Sequence, residues 1–140
     1  MPEPALSLKE PVEDDEAISR FLTDEDSFYR KTERVHHSAF KLPRGHNAIS
    51  VYRTKDMVDR AIWDMARRFV TELRPDRKEV LARAELKAGD YKGLHLKFSW
   101  DGKPHPRHVN IEGWPSSVED MLAVRKELAN KARLISKSAN

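Results

Sequence analysis

The residues best suited to chemistry lie in residues 103–115, which read KPHPRHVNIEGWP. This segment holds His105, Arg107, His108 and Asn110 close together. Histidine exchanges protons near neutral pH, whereas arginine and asparagine bind phosphate or carboxylate oxygens. The prolines of the segment restrict its backbone, so we expect these side chains to be held in fixed positions. The segment therefore predicts either anion binding or acid–base chemistry.

Two further stretches, residues 78–87 and residues 94–99, alternate between apolar and polar side chains. This period of two predicts half-buried strands, which we expect to pair as an antiparallel hairpin beside a strand containing Val109 and Ile111. Parity places these polar side chains on one side: Arg83, Glu85, Lys87, His95, Lys97, Ser99, His108 and Asn110. The pattern is also typical of an ordinary solvated sheet face.

If helices leave this polar side exposed, the sequence predicts a non-enzymatic binding module that engages nucleic acid or an acidic protein partner. Basic side chains would contact the anionic partner, and the ring of Trp100 could serve as a platform for an unpaired base. The predicted binding residues are Arg53, Arg83, Lys97, Trp100, Lys103, His105, Arg107 and Asn110.

The histidines support a different hypothesis, a small metal-independent phosphodiesterase or ribonuclease. Two imidazoles on neighbouring strands could move a proton during phosphodiester cleavage, and a guanidinium could stabilise the charge that develops on phosphorus. The predicted catalytic residues are His95, His108 and Arg107.

Metal, thiol and cofactor chemistry find little support in the sequence. The chain has no cysteine, and His105 and His108 stand three apart in an extended run, where side chains point to opposite sides. It also has only five glycines and none of the glycine-rich phosphate-binding motifs. We therefore expect neither a metal site nor a cofactor.

Charge is distributed unevenly along the chain. Residues 1–27 hold nine acidic and two basic side chains, a net −7, whereas the other residues hold 24 basic and 14 acidic side chains, a net +10. The acidic stretch predicts a partly disordered leader, either a solvated tail or an arm that folds back onto the basic body. Neither a signal peptide nor a transmembrane stretch is evident, which favours a cytoplasmic protein without membrane contact.

The remaining patterns predict an α+β fold with a small, largely antiparallel sheet of about four strands and two helices packed on one face. Residues 48–53 predict a strand, and residues 54–73 and 118–135 predict the two helices. A short helix from residue 14 would place Ile18, Phe21 and Leu22 on one face, packed on the body or docked on a partner. We expect a leader at 1–27, one basic domain at 28–136 and a frayed tail at 137–140.

Three blocks of sequence carry a resemblance: RVHHSAF from Arg34, SVYR from Ser50, and PRHVNIEGWP from Pro106 followed by a helix. Together they are similar to a group of small bacterial proteins without an assigned activity. The resemblance covers residues 34–135 and implies a bacterial origin and a single compact domain. No activity is taken from the resemblance. A third hypothesis, independent of it, is an accessory subunit of a bacterial multi-gene system that docks through the Ile18–Leu22 helix.

Overall fold

Strands alternate with short helices along the chain in the computed structural model, which describes residues 12–100 and 102–137. The strands are β1 (Ala17–Leu22), β2 (Phe28–Tyr29), β3 (Arg34–Val35), β4 (Ile49–Arg53), β5 (Ala82–Lys87), β6 (Lys97–Ser99), β7 (His108–Glu112) and β8 (Arg133–Ser136). The helices are α1 (Asp59–Ala66), which continues as a π-helical segment (Arg67–Thr71), α2 (Ala88–Lys92) and α3 (Val118–Lys131). Two 3-10 turns span Glu25–Ser27 and His37–Phe40.

Within the described residues, six of the strands form one sheet in the order β6-β7-β4-β1-β5-β8, and every neighbouring pair is antiparallel. Strands β2 and β3 form a separate hairpin. The predicted α+β class and the antiparallel sheet are confirmed. The sheet has six strands rather than about four, because β1 and β8 were not predicted.

Strand β1 lies inside the sheet, between β4 and β5. The predicted short helix over this stretch is therefore wrong, and so is the predicted docking role of its apolar residues. Ile18, Phe21 and Leu22 are buried in the folded chain itself and offer no surface to a partner. A domain boundary at residue 27 is not observed either, since β1 pairs with β5 along all six of its residues. Residues 1–11 of the predicted leader lie outside the described residues.

The two faces of the sheet bury different side chains. Successive residues on a strand point to opposite faces, so Ile18 and Leu22 share one face and Phe21 lies on the other. The first face packs with Leu128 of α3. The second packs with Ile62 and other residues of α1. The prediction that both helices cover one face is wrong, because α1 and α3 lie on opposite sides.

Two further local expectations differ from the structure. Strand β5 pairs with β1 and β8, while β6 pairs with β7, so the predicted β5–β6 hairpin does not form. Helix α2 separates these strands instead. The last helix ends at Lys131 rather than near residue 135, and the chain returns as β8. The amide of Lys137 donates to the carbonyl of Leu81, which extends the β8 pairing, while residues 138–140 of the predicted frayed tail lie outside the described residues.

Candidate binding site

The segment that follows β6 is fastened to the end of β4. The Arg107 guanidinium donates to the carbonyl oxygens of Arg53 at 3.0 Å and Lys55 at 3.2 Å. The amide of Arg107 donates to Nδ1 of His105, and the indole of Trp100 donates to the carbonyl of Pro106. Both His105 and Arg107 are buried. Stiffness was expected here, but the side chains turn inward and fix the segment instead of facing a partner.

Arg53 is also buried, and it forms an ion pair with Glu16. Its Nε and Nη2 atoms each donate to a carboxylate oxygen at 2.8 Å. Burial alone would raise the pKa of Glu16, but the hydrogen bonds from Arg53 and from the amide of Glu13 outweigh it and lower that pKa. The guanidinium also lies 5.9 Å from the ring centre of Trp100. This pair holds the start of β1 against the end of β4.

Arg83 lies beneath α1, so the parity prediction was right for its strand while the predicted exposure was wrong. Its guanidinium is 2.9 Å from a carboxylate oxygen of Asp59 and 4.7 Å from the ring centre of Trp63. Only 3% of the Arg83 side chain is exposed, against 75% of that of Asp59. Helix α1 therefore covers part of the polar face that was expected to be bare.

The other predicted residues are scattered around the edge strand β6. His95, Lys97 and Lys103 are exposed, whereas Trp100 and Asn110 are half-buried. On β7, Asn110 lies on the predicted polar side. It pairs with Ser99 of β6, which was predicted on the same side. The predicted surface therefore does not form as one continuous patch.

His95 and His108 are not brought together. Lys97 pairs with Glu112, so His95 lies beyond one end of the β6–β7 pair. His108 is the first residue of β7, four positions from Glu112. Those four positions span about 14 Å of strand, which is far beyond hydrogen-bonding reach. The histidine pair required for proton exchange at one phosphate is absent.

A cleft that sequence reasoning missed lies between the sheet and the end of α1. We call it the aromatic cleft. Its volume is about 320 Å³, and its apolar wall consists of Phe21, Pro43, Tyr52, Phe69, Val70, Leu73 and Pro104. The π-helical segment contains Phe69. The hydroxyl of Tyr52 donates to the backbone carbonyl of Phe69 at 3.5 Å. Such segments often occur at functional sites because they displace side chains from the regular helix pattern.

The polar wall of the aromatic cleft contains Arg20, Arg74, Ser50 and His108. Arg74 is paired with Asp76 through two hydrogen bonds of 2.9 Å. The ring of His108 packs edge-on against Tyr52, with centroids 5.3 Å apart. Of the ten predicted binding and catalytic residues, the cleft thus includes only His108.

Arg20 is the unusual residue of the cleft, because alternation along β1 places it on the face of Ile18 and Leu22, opposite Phe21, and burial lowers the pKa of its guanidinium. Its Nε donates to the carbonyl of Ala39 at 3.1 Å, and its Nη1 donates to the carbonyl of Ser50 at 2.9 Å. Pairing between β1 and β4 ends at Ser19, so the guanidinium binds a carbonyl of β4 beyond the end of that ladder. Within residues 12–100 and 102–137, no carboxylate lies within 4 Å of it. A cation is therefore held in place without a counter-charge.

The described residues offer neither a metal-binding cluster nor a helix that could cross a membrane. No group of three or more histidine or acidic side chains is arranged there to hold a metal ion. Among the same residues, no helix combines the length and apolar character that crossing a bilayer requires. Comparison with known proteins gave no matching family model, no matching curated protein and no matching solved structure. The site is therefore interpreted from its geometry.

Proposed function

We propose that the chain is a non-enzymatic binding module that engages single-stranded nucleic acid and receives one unpaired nucleotide in the aromatic cleft. The observation that carries this proposal is Arg20, a guanidinium fixed by two backbone carbonyls with no carboxylate beside it among the described residues. A cation held in this way has already lost its side-chain freedom, so binding a phosphate there costs less entropy.

The rest of the cleft suits a nucleobase. The half-buried ring of Phe69 supplies aromatic surface, backed by the buried rings of Phe21 and Tyr52, and stacking of a base on such a ring contributes about 1–3 kcal/mol. A volume of about 320 Å³ lies at the lower end of the range for small-ligand pockets, which suits one nucleotide rather than a folded domain. Residues 28–140 carry the excess of positive charge, which would add sequence-independent attraction to a phosphate backbone.

The cleft supports this partner better than the alternatives. An acidic peptide would use the charge of Arg20 but would leave the aromatic wall without a matching group. A phosphodiesterase built on His95 and His108 would need both imidazoles at one phosphate, and they lie at opposite ends of the β6–β7 pair. We therefore retain the binding module and place its contact at Arg20 and the cleft rings.

The test is fluorescence anisotropy with a labelled 12-nucleotide single-stranded oligonucleotide, run at several salt concentrations. Arg20→Gln is expected to weaken binding about tenfold, since a lost charge-assisted contact is worth about 1.5 kcal/mol. Arg60→Gln is the matched control: it removes the same charge from an exposed position on α1 outside the cleft. It is expected to change the affinity less than threefold.

A second variant guards against misfolding of the first. Phe69→Leu keeps Arg20 and the apolar wall but removes one stacking ring, and it is expected to weaken binding about fivefold or more. Circular dichroism and thermal unfolding check that both variants fold. Equal losses in Arg20→Gln and Arg60→Gln would overturn the proposal, as would binding of a polyglutamate peptide as tight as that of the oligonucleotide.

A further inference from the structure

A second cavity lies on the other side of the sheet from the aromatic cleft. It is a depression open to solvent and bordered by the β2–β3 hairpin, the 3-10 turn at His37–Phe40 and α3, and its volume is about 440 Å³. We call it the basic cavity. Arg34 and Lys126 line it together with His36 and His37. None of the lining residues is acidic.

The positive charges around this cavity lack counter-charges. Over the described residues, neither Arg34 nor Lys126 has a carboxylate within 4 Å, and the same holds for the neighbouring Arg125. The Nε of Arg125 is buried without a hydrogen-bond partner among those residues. Like charges that converge without an acid between them repel one another, so a bound anion would stabilise their arrangement.

Two stacked imidazoles add proton chemistry to the cavity. The rings of His36 and His37 have centroids 4.1 Å apart. The amide of Ser38 donates to Nδ1 of His36 at 3.1 Å, which places the hydrogen of the neutral His36 ring on Nε2. The Nδ1 of His37 is buried and has no hydrogen-bond partner in the described part of the chain. Protonation of the His37 ring would add a third positive charge beside Arg34 and Lys126 and would strengthen the attraction to a bound anion.

Burial and the charged groups near His37 both affect its pKa. Burial lowers the pKa of His37, and repulsion from His36, Arg125 and Lys126 lowers it further. Arg34 and Tyr29 line the same cavity from the hairpin, while the 3-10 turn at Glu25–Ser27 contributes two carbonyls: that of Asp26 accepts from the Ser38 hydroxyl, and that of Ser27 accepts from the amide of His36. An anion among these groups would reverse the repulsion and favour the protonated ring.

The size of the cavity and its charge together indicate the ligand. Tyr29, Val35 and Ala129 give it an apolar side, so it has room for an organic group beside an anion. Two cations and a protonatable imidazole match a group that carries nearly two negative charges at neutral pH, as a phosphate monoester does and a carboxylate does not. We propose that the basic cavity binds a small phosphate monoester, with its phosphate between Arg34, Lys126 and His37 and its organic part against Tyr29 and Val35.

Adenosine monophosphate is a suitable probe, added to the full chain and followed by NMR. Saturable shifts are expected for the amide of Lys126 and the ring of His37, and the NMR-measured pKa of His37 should rise in the presence of the probe. Lys126→Gln is expected to weaken binding about tenfold through loss of one charge-assisted contact. Lys97→Gln, with the same loss of charge on the edge strand β6, should leave the affinity within a factor of two.

Two further measurements separate this site from the aromatic cleft and from simple charge attraction. Arg20→Gln should leave adenosine monophosphate binding at Lys126 unchanged, since Arg20 does not line this cavity. Acetate at the same concentration should shift these signals much less. Absence of saturable shifts, a His37 pKa that does not rise with bound probe, or equal losses in Lys126→Gln and Lys97→Gln would overturn the proposal.

Discussion

The short ladder between β1 and β4 has one arginine, Arg53, in its last pair at one end and another, Arg20, just beyond its other end, and the two are held by opposite means. At one end, Arg53 donates two hydrogen bonds to the buried carboxylate of Glu16. At the other end, Arg20 donates to two backbone carbonyls and has no carboxylate within 4 Å among the described residues. The first arrangement neutralises a buried charge, whereas the second fixes a charge whose pKa is lowered by burial and for which, we propose, a bound anion supplies the counter-charge.

We propose that this difference, rather than residue type or exposure, distinguishes arginines that stabilise the fold from one that binds a ligand. A buried cation with a buried partner is expensive to disturb, because either group left alone would be charged and poorly solvated. A half-buried cation held only by carbonyl oxygens can still attract an anion. We therefore expect substitutions at the Glu16 end to change stability and substitutions at the Arg20 end to change binding.

The largest effect is expected from Glu16→Gln. This change leaves the Arg53 guanidinium buried without its counter-charge, and breaking a buried pair in this way costs about 3–5 kcal/mol. Urea unfolding measures the free energy directly. Arg20→Gln is the comparison, and it should cost only about 1–2 kcal/mol because the lost hydrogen bonds lie near solvent. Similar losses for the two variants would show that Arg20 is structural in the same sense as Arg53.

A smaller, pH-dependent effect follows from the same pair. The folded-state pKa of Glu16 is lowered, so the unfolded chain takes up its proton first as the pH falls. The stabilisation is complete above the unfolded-state pKa and is lost as the pH falls through the folded-state value. Urea unfolding between pH 7 and pH 3 should give a flatter stability profile for Glu16→Gln than for the wild type.

Asp76 needs a control in that experiment, because its pKa is also lowered, by hydrogen bonds from Arg74 and from the amide of Lys78. This pair is exposed, so we expect it to contribute little. Asp76→Asn should leave the acid part of the profile almost unchanged. A profile flattened by Asp76→Asn and not by Glu16→Gln would assign the acid sensitivity to the surface pair instead.

The local pattern of the sequence was enough to predict the alternation of β5, β6 and β7. Period two depends only on which residues neighbour each other along the strand, so Arg83 and Asn110 were placed on the correct side. The face that α1 covers could not be predicted, because a helix following a strand can pack on either side of the sheet. Arg83 is buried under Trp63 because α1 packs on the face of the sheet that carries Arg83.

Strand β1 and the aromatic cleft were missed for a related reason. The apolar residues Ile18, Phe21 and Leu22 are spaced as in a helix, and only the pairing with β4 and β5 makes their segment a strand. Tertiary contacts of this kind override local propensity. Arg20 then appeared as one basic residue in an acidic leader. Its position in the cleft depends on where the β1–β4 ladder ends, which no short stretch of sequence records.

The smallest change in the free energy of unfolding is expected from a substitution of Arg83. This residue provides a third case to compare with Arg53 and Arg20. Arg83 is as buried as Arg53, but its partner Asp59 is exposed, and its Nε and Nη1 have no hydrogen-bond partner among the described residues. Arg83→Met removes a poorly compensated charge and keeps an apolar chain under Trp63. The lost contact with that ring offsets part of the gain, so the free energy of unfolding should stay within about 1 kcal/mol of the wild type.

Asp59→Asn tests whether the buried Arg83 guanidinium destabilises the protein once its carboxylate partner is removed. It keeps the buried guanidinium and removes its carboxylate, so it should destabilise the protein more than Arg83→Met does, and the double variant should recover most of that loss. Urea unfolding of the three variants completes the cycle. If Arg83→Met alone costs as much as Glu16→Gln, a buried arginine stabilises this fold even without a buried carboxylate, and the distinction drawn between Arg53 and Arg20 no longer identifies function.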